Sequence, residues 1–348
     1  MSGPNDGCGN ASGTAGRGVL EYAIGGADRE GSMHHQSLHE VRADAYSYVW
    51  DNSIEPVLSV GSGEEVMLHV RDASDEQISP DSEVDAVAGL DFSHVNPVSG
   101  PVEVRGTRAG DTLAVEILEF RPRTWGWTAL IPGFGLLADE FPEPWLRISQ
   151  VDAESGRVRF GERVTLPYRP FPGTIGVAPR EPGPHSILPP SDWGGNLDIK
   201  HLRAGTTLYL PVGVDGARFS VGDTHAAMGD AEVCGTAVET AMDITVRLTV
   251  RRDLPITAPQ YHLAAGALAE TETSPYHVCT GVAPDLMEAS KRATRAMIDH
   301  IVQRHGLERQ EAYALCSVAC DLRIHELVDA PNWVVGVFLP EDIFEGSE

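Results

Sequence analysis

Short apolar runs separated by glycine and proline fill most of the chain between residues 57 and 256. Many of these runs alternate apolar and polar residues or are rich in β-branched side chains, which is typical of strands. Glycine, proline or aspartate stands at the breaks, where turns are expected. The pattern therefore predicts strands over residues 102–104, 112–120, 158–166, 206–214 and 238–250.

A different pattern begins after residue 280. Apolar residues recur at helical spacing over residues 285–304, with Pro284 just before this segment and Gly306 just after it. These two residues are ordinary start and stop signals, so we predict a helix there. The helical spacing continues over residues 308–320, which predicts a second helix. Strands followed by helices indicate an α+β fold that is mostly β.

The formal charge of the chain is strongly negative. Its 26 lysine and arginine residues against 51 aspartate and glutamate residues give a net charge of −25. An acidic surface repels a polyanion, and the sequence has no dense basic run, so we expect no nucleic-acid partner. The only lysines are Lys200 and Lys291, which leaves two candidates for any mechanism that needs a catalytic lysine.

Composition also indicates the cellular environment. No stretch approaches the roughly 18 apolar residues that a membrane span needs, so we expect no membrane partner. Residues 1–18 carry neither a basic segment nor an apolar core, which disfavours a secretory signal. The five cysteines are an odd number without a Cys-x-x-Cys pair, which disfavours a disulfide framework or a cysteine-rich zinc site. We therefore expect a cytoplasmic protein.

Ionisable side chains are concentrated between residues 194 and 239. Asp223, His225, Asp230 and Glu232 lie close together among small residues, and Asp198 lies earlier in the same segment. Carboxylate oxygens and an imidazole can bind a divalent metal, and this mixture suits a zinc ion with an open position better than a closed structural site. The alternative is a solvated acidic loop with a hydrogen-bonded core histidine, and the spacing alone does not decide between them.

Several phrases along the chain share their order and spacing with a family of enzymes. The longest is residues 221–239, VGDTHAAMGDAEVCGTAVE, and residues 195–198 precede it as a shorter element. Further phrases occupy residues 99–102, 109–113, 125–127, 132–135, 173–179 and 312–319. Together they extend over residues 48–344 and resemble the acetamidase/formamidase family of small-amide hydrolases.

The resemblance implies hydrolysis of a short aliphatic carboxamide, similar to formamide or acetamide, to a carboxylate and ammonia. It also implies a β-sandwich core with a helical C-terminal segment, a bound divalent metal and a homo-oligomer. Zinc is the metal that the donor types favour. The sequence departs from many members of this family, which have glutamine at the place of Met228, glycine at Ala231 and histidine near the place of Asn96. Because Met228 is flexible and apolar, a pocket that it lines suits a substrate with an apolar part.

The resemblance and the donor types together suggest a mechanism. We hypothesise that Asp198, His225 and Glu232 bind the metal, which activates a water molecule and polarises the amide carbonyl. Asp230, or Glu232 if it is not a ligand, then carries a proton from the water to the leaving nitrogen. Asp223 either caps the turn before Thr224 or contributes to the metal site.

Glu239 is the reserve carboxylate of this hypothesis. Side chains alternate along a strand, so a regular strand directs Glu239 away from Glu232. A bulge at Gly235 reverses that expectation.

Two other functions remain open. A nitrilase-like amidase would use Cys234 as its nucleophile and Lys200 as a partner, although acidic surroundings raise the pKa of a thiol and disfavour this. A non-enzymatic β-sandwich could instead bind a ligand through calcium held by carboxylates, but His225 suits calcium poorly.

Three parts of the chain follow from these patterns. We expect residues 1–30 to form a flexible Gly/Ser-rich tail. Residues 31–280 are expected to form the β-rich catalytic domain, and residues 281–348 a helical and mixed segment packed on it.

Overall fold

The computed structural model describes residues 38–344, apart from residues 136–137, 140, 163, 233, 265–273, 310–311 and 313–319. The predicted tail over residues 1–30 and most of the predicted second helix over residues 308–320 lie outside the described residues. The proposed division into three parts therefore stays a prediction.

Strands make up most of the described secondary structure. The strands of the first half are β1 (His39–Val41), β2 (Tyr46–Ser47), β3 (Val49–Trp50), β4 (Leu58–Val60), β5 (Glu64–Val70), β6 (Val98–Val104), β7 (Thr112–Pro122), β8 (Trp125–Leu130), β9 (Trp145–Asp152), β10 (Arg157–Phe160) and β11 (Val164–Pro167). Those of the second half are β12 (Phe171–Gly176), β13 (His185–Ser186), β14 (Pro190–Ser191), β15 (Gly194–Asn196), β16 (Thr207–Pro211), β17 (Phe219–His225), β18 (Met242–Arg251), β19 (Gln260–Leu263), β20 (Tyr276–Ala283), β21 (Asp321–Glu326) and β22 (Trp333–Pro340). The helices are α1 (Asp85–Ala88) and α2 (Leu286–His305), and short 3-10 turns occur at Phe92–His94 and Glu341–Ile343.

One apolar core is shared by two large sheets. The first sheet has nine strands in the order β1-β5-β18-β7-β16-β19-β20-β22-β21, and the second has seven, in the order β14-β15-β12-β17-β6-β2 with β4 beside β6. The shared core contains Leu68 and Ile244 from the first sheet and Phe171 and Val221 from the second. The two smaller sheets of the described residues are a four-stranded sheet in the order β11-β10-β9-β8 and the two-stranded pair β13-β3. The predicted α+β, mostly β fold with a β-sandwich core is confirmed.

Strand β18 shows why this sequence forms a sheet with two different faces. Ile244, Val246 and Leu248 are fully buried, while the residues between them are only partly buried. Side chains alternate across a strand, so this period of two places every second residue in the core. Burying one such side chain contributes roughly 1.5–3 kcal/mol.

Helix α2 covers the outer face of β20 and β22. The Asp285 side chain caps it by accepting a hydrogen bond from Glu288 N at 2.8 Å, and Gly306 ends it with a φ of 71°, so the predicted helix is confirmed. The helix crosses the sheet at Gly281, where an added Cβ would lie 2.1 Å from Ala289 O. Only glycine permits this close approach of helix and strand.

Two predicted strands differ from the observed ones. The run over residues 158–166 is a hairpin of β10 and β11, because Gly161 adopts a φ of 73° and turns the chain. The run over residues 238–250 becomes a continuous strand only from Met242. The residues before Met242 instead contact β17 and β8, where the candidate site lies.

Candidate functional site

Strand β17 carries the centre of the site. Asp223 and His225 are two positions apart on this strand, and both side chains approach Gly173, where an added Cβ would lie 2.7 Å from Asp223 Oδ2 and from His225 Cε1. Every residue of β17 is buried. Its neighbour β12 pairs with it so that Phe171 lies opposite His225, and the two rings meet edge to face with centroids 4.9 Å apart. His225 is thus held in place by packing as well as by its polar neighbours.

Asp198 reaches the same place from the loop after β15. The backbone N–H groups of Leu197 and Asp198 donate to the carbonyl oxygen of Gly173 at 2.9 and 3.2 Å. A Cβ at Gly173 would lie 2.5 Å from Asp198 Oδ1 and 2.7 Å from Asp223 Oδ2. The two carboxylates therefore occupy space that any other residue at position 173 would fill.

Glu239 also faces Asp198, Asp223 and His225. It forms isolated antiparallel bridges with His225 and Trp127, and its Oε2 lies 3.0 Å from His225 Nε2. Gly235 has a φ of 83°, so the chain between Glu232 and Glu239 is not a regular strand. Of the two orientations that the sequence left open, the structure has the one in which Glu239 and Glu232 lie on the same side.

His225 is surrounded by carboxylates. Its Nε2 lies 3.2 Å from Asp223 Oδ1 and 4.0 Å from Glu232 Oε1, while its Nδ1 lies 3.8 Å from Asp198 Oδ1. We call Asp198, Asp223, His225, Glu232, Glu239 and Asp329 the acidic cluster, and all six residues are buried.

Asp329 joins the acidic cluster from the turn after β21. Its Oδ2 accepts a hydrogen bond from Asn196 Nδ2 at 2.7 Å, and Asn196 Oδ1 accepts one from Thr174 Oγ1. The Glu326 carboxylate holds the turn by accepting a hydrogen bond from Asp329 N at 2.6 Å. A chain of side chains thus connects β12, β15 and this turn.

Backbone conformations around the acidic cluster are unusual. Asn96, Asp198, Asp223, Ala231 and Glu232 have φ values of 48°, 45°, 51°, 73° and 42°. Positive φ is uncommon for residues other than glycine and costs of order 1–3 kcal/mol each. Such strain is often found where side chains must be directed at a functional site.

The electrostatics of the acidic cluster follow from burial and crowding. Burial raises the pKa of Asp198 and of Glu232 well above the ordinary carboxyl value, and the charge of Glu232 adds to the effect on Asp198. Burial likewise raises the pKa of Glu239 to about 7 and that of Asp329 to about 7. For His225 burial lowers the pKa, but Glu239 and Asp223 outweigh it and raise the pKa well above its usual value. Ionised carboxylates in the acidic cluster are therefore costly unless a positive charge lies beside them.

Within the described residues, three groups of possible metal ligands have their donor atoms within 4.8 Å of one another. They are Asp198 with Asp223 and His225, then His225 with Glu232 and Glu239, and finally Asp198 with Glu232 and Asp329. Each pair of the predicted ligands Asp198, His225 and Glu232 shares one of these groups, although the three together do not form one. The buried cluster can bind a metal, and the predicted ligand set stays a prediction.

A small cavity reaches the acidic cluster from one side. This acidic cavity has a volume of about 60 Å³ and is lined by Asn96, Trp127, Phe134, Asp223, Glu239 and Asp329, among others. Asn96 Nδ2 lies 3.4 Å from Asp223 Oδ2. The acidic cavity therefore combines carboxylates, amide groups and apolar walls.

A second cavity shares Glu232 and Thr236 with the acidic cavity. This arginine cavity has a volume of about 380 Å³ and is lined by Arg169, Lys200, Arg203, Met228, Asp230 and Cys234, among others. Glu232 lines both cavities. Asp230 Oδ2 lies 2.5 Å from Lys200 Nζ, and Asp230 belongs to none of the three ligand groups among the described residues. The predicted proton carrier Asp230 thus faces the arginine cavity and has a lysine as its partner.

Cys234 also lines the arginine cavity, but its neighbours do not suit a nucleophile. Its Sγ donates to the carbonyl oxygen of Thr236 at 3.3 Å. Lys200, the partner that a nitrilase-like mechanism requires, is engaged by Asp230.

Sequence reasoning missed two parts of the site. Asp329 and Glu326 lie far beyond the central segment, and no spacing in the sequence connects them to it. Gly173 lies in the family phrase over residues 173–179, but its role depends on the side chains that approach it in space.

Comparison with known proteins agrees with the geometry. The sequence model of the acetamidase/formamidase family matches residues 34–187 and 182–346. Since this covers most of the chain, the protein belongs to the acetamidase/formamidase family of amide-hydrolysing enzymes. The resemblance found in the sequence is confirmed, and the non-enzymatic alternative is set aside.

Individual relatives match over most of their length. A formamidase from Methylophilus methylotrophus is 26% identical over 85% of this chain and 88% of its own. The crystal structure of an acetamidase from Bacillus halodurans has a TM-score of 0.80 and 31% identity, covering 88% of this chain and 98% of that one. The crystal structure of an acetamidase from Yersinia enterocolitica has a TM-score of 0.79 and 31% identity. The match covers 90% of this chain and 94% of that one.

No helix among the described residues is long and apolar enough to cross a membrane.

Proposed function

We propose that this protein hydrolyses a short aliphatic carboxamide, similar to formamide or acetamide, to a carboxylate and ammonia at a divalent metal centre, with zinc as the metal. The observation that carries the proposal is a set of buried polar atoms without hydrogen-bond partners in the described part of the chain: both carboxylate oxygens of Asp198 and Nδ1 of His225. Leaving buried polar atoms unpaired is costly, so such a set indicates a site that binds a cation.

The chemistry of these donors fits a zinc ion. Asp198, His225 and Glu232 would hold it, and Asp223, Glu239 and Asp329 lie close enough to complete or orient the site. An imidazole among carboxylates favours zinc over calcium, which prefers oxygen ligands alone. When bound, the cation supplies Lewis acidity towards a water molecule and towards the amide carbonyl.

The residues of the chain then perform the proton transfer. A catalytic zinc site commonly uses about three protein ligands. The other carboxylates of the acidic cluster are therefore available for proton transfer. We assign the proton transfer from water to the leaving nitrogen to Glu239 in place of Asp230. Glu239 lines the acidic cavity, and its Oε2 lies 3.0 Å from His225 Nε2. Asp230 instead forms an ion pair with Lys200.

The acidic cavity supports a small substrate. Its volume of about 60 Å³ is well below the roughly 300–1,000 Å³ of sites for drug-sized molecules, so it suits a short amide. The Asn96 amide can donate to or accept from a carboxamide that enters. Trp127 and Phe134 line the same cavity, and they exclude water that would otherwise weaken these interactions.

The test is ammonia release from formamide, acetamide, propionamide and bulkier amides, with metal content measured on the same sample. We expect turnover of the smallest amides, its loss on thorough chelation, and its return on addition of zinc. If no amide in the panel releases ammonia, the proposal is wrong.

A Cys234→Ala variant separates the metal route from the cysteine route. We expect this variant to keep most of its activity. Activity that survives chelation but disappears in Cys234→Ala would overturn the metal proposal and favour the nitrilase-like alternative.

We further propose that the protein is a cytoplasmic homo-oligomer, as expected from the family and from the cysteine content. Light scattering coupled to size-exclusion chromatography tests the assembly, and a monomer at micromolar concentration would contradict it.

A further inference from the structure

Positive charge gathers around the arginine cavity although the protein as a whole is acidic. Arg169, Lys200 and Arg203 all line it, in a chain with 26 basic residues against 51 acidic ones. Lys200 is one of only two lysines in the sequence. Cations that converge on a concave site attract an anionic ligand.

The three cations have different surroundings. The charge of Lys200 is balanced by Asp230, whose Oδ2 lies 2.5 Å from Nζ. Arg169 forms no ion pair with any residue that the structure describes. Burial lowers the pKa of Arg203, and the positive charge of Arg169 lowers it further. Arg169 and Arg203 line the same cavity, so one anion in that cavity can contact both guanidinium groups.

The remaining wall defines the rest of the ligand. Phe160, Leu166, Met228 and Val238 line the arginine cavity with apolar surface. A volume of about 380 Å³ lies within the usual range for small-molecule sites, about 300–1,000 Å³. Asp230 and Glu232 also line it, which favours a ligand with one negative charge over a phosphate with two. A guanidinium fork matches the two oxygens of a carboxylate.

We propose that the arginine cavity binds a short aliphatic carboxylate, with the carboxylate group on Arg169 and Arg203 and the aliphatic chain against Phe160, Leu166 and Met228. Two sources could provide this ligand: a free carboxylate, or the far end of an amide substrate that carries its own carboxylate. Because Glu232 lines both cavities, the ligand would lie directly beside the acidic cluster. Only the second source depends on the proposed function.

Calorimetric titration of the purified protein with sodium butyrate tests the binding. Sodium chloride at equal ionic strength and neutral butyramide serve as reference titrations. We expect saturable binding of butyrate that weakens about tenfold or more in Arg169→Gln and in Arg203→Gln, because each variant removes a charge-assisted hydrogen bond. Arg157→Gln is the matched control, since Arg157 is exposed on β10 and does not line the cavity; it should bind butyrate as the parent protein does.

Two results would overturn the proposal. One is butyrate binding no tighter than chloride or butyramide. The other is an unchanged butyrate affinity in both arginine variants, which would place the carboxylate elsewhere, for example at the acidic cluster. Circular dichroism on each variant establishes that it is folded, and Arg169 is exposed, so its substitution should leave the fold intact.

Turnover measurements then identify the source of the carboxylate. A preference of about tenfold in kcat/KM for glutaramate over neutral valeramide, lost in Arg169→Gln, would show that the carboxylate belongs to the substrate. Non-competitive modulation of acetamide hydrolysis by butyrate would show that it is a separate ligand. Either result supports the site. Absence of all amide turnover would refute the proposed function, while the titration would still decide the carboxylate site.

Discussion

Glu239 and His225 are cross-strand neighbours, and Glu239 Oε2 lies 3.0 Å from His225 Nε2. The other oxygen, Oε1, accepts a hydrogen bond from Ala237 N at 2.6 Å. One oxygen therefore fixes the carboxylate to its own loop, and the other faces the histidine. This division makes Glu239 a carboxylate of defined orientation inside the acidic cluster.

The first prediction concerns that carboxylate. Glu239→Gln keeps the shape of the side chain but removes its ability to accept a proton. We expect kcat for acetamide to fall about 10²- to 10⁴-fold, the usual contribution of general acid–base catalysis, with zinc content retained. Steady-state kinetics and elemental analysis check this. Glu154→Gln, in an exposed turn, is the control, and an unchanged kcat in Glu239→Gln would remove Glu239 from the mechanism.

The second prediction concerns Gly173. In Gly173→Ala the new methyl group would lie 2.5 Å from Asp198 Oδ1, so the carboxylate must move. We expect zinc affinity to fall about 10- to 100-fold, as for other changes that disturb ligand orientation. Competition with a chelator of known affinity measures this. Gly89→Ala is the matched control because its nearest contact, Asp85 O at 3.5 Å, is ordinary; equal affinity in the two variants would contradict the prediction.

Metal removal should destabilise the fold. Buried carboxylates crowd around His225, and a bound cation compensates their charges. Zinc at about 100 times its Kd would stabilise the native state by about 2.7 kcal/mol. We expect differential scanning fluorimetry to show a Tm lower by several degrees after chelation, restored by zinc and absent in Asp198→Asn. Equal Tm values with and without chelator would argue against a metal at this site.

Stability should depend on pH through His69. Its Nδ1 lies 2.6 Å from Asp243 Oδ1 and its Nε2 lies 2.8 Å from Glu40 Oε1. Burial lowers the pKa of His69, but these two hydrogen bonds outweigh it, and the net pKa is raised. The stabilisation is therefore complete below the unfolded pKa of about 6.5 and is lost as pH rises through the higher folded pKa.

Urea unfolding of His69→Gln at pH 5.5 and pH 8.5 tests this relationship. We expect a loss in the free energy of unfolding of about 0.2–1 kcal/mol per pair at the lower pH and a smaller loss at the higher pH. Asp243→Asn should show the same trend. A loss in the free energy of unfolding that grows with pH would contradict the raised pKa of His69.

The contact between α2 and the sheet gives the last prediction. In Gly281→Ala the new methyl group would meet Ala289 O at 2.1 Å and Ala293 N at 2.5 Å. Both are backbone atoms, so the helix itself must shift. Overpacking of this kind costs about 1–3 kcal/mol or more, which a lower urea midpoint would reveal. An unchanged midpoint would mean that α2 does not pack against β20 as described.

Local patterns were enough for much of the fold. The helix predicted over residues 285–304 is observed as Leu286–His305, because its periodicity, its Asp285 cap and its Gly306 stop all lie in adjacent sequence. The strand predicted over residues 112–120 is part of β7 for the same reason. Where one glycine turned the chain, at Gly161, the predicted strand became a hairpin.

By itself, the sequence determined the mostly β character of the fold, the helix that ends before Gly306, the family, and the segment that holds Asp198, His225 and Glu232, because these signals depend on neighbouring residues. Only the tertiary structure decided that Glu239 faces His225, that Asp230 pairs with Lys200, and that Asp329 joins the cluster. The hydrogen bond from Asn196 to Asp329 spans 133 positions. Contacts over such separations arise from sheet pairing and from the packing of the two large sheets on one core, and no local pattern in the chain records them.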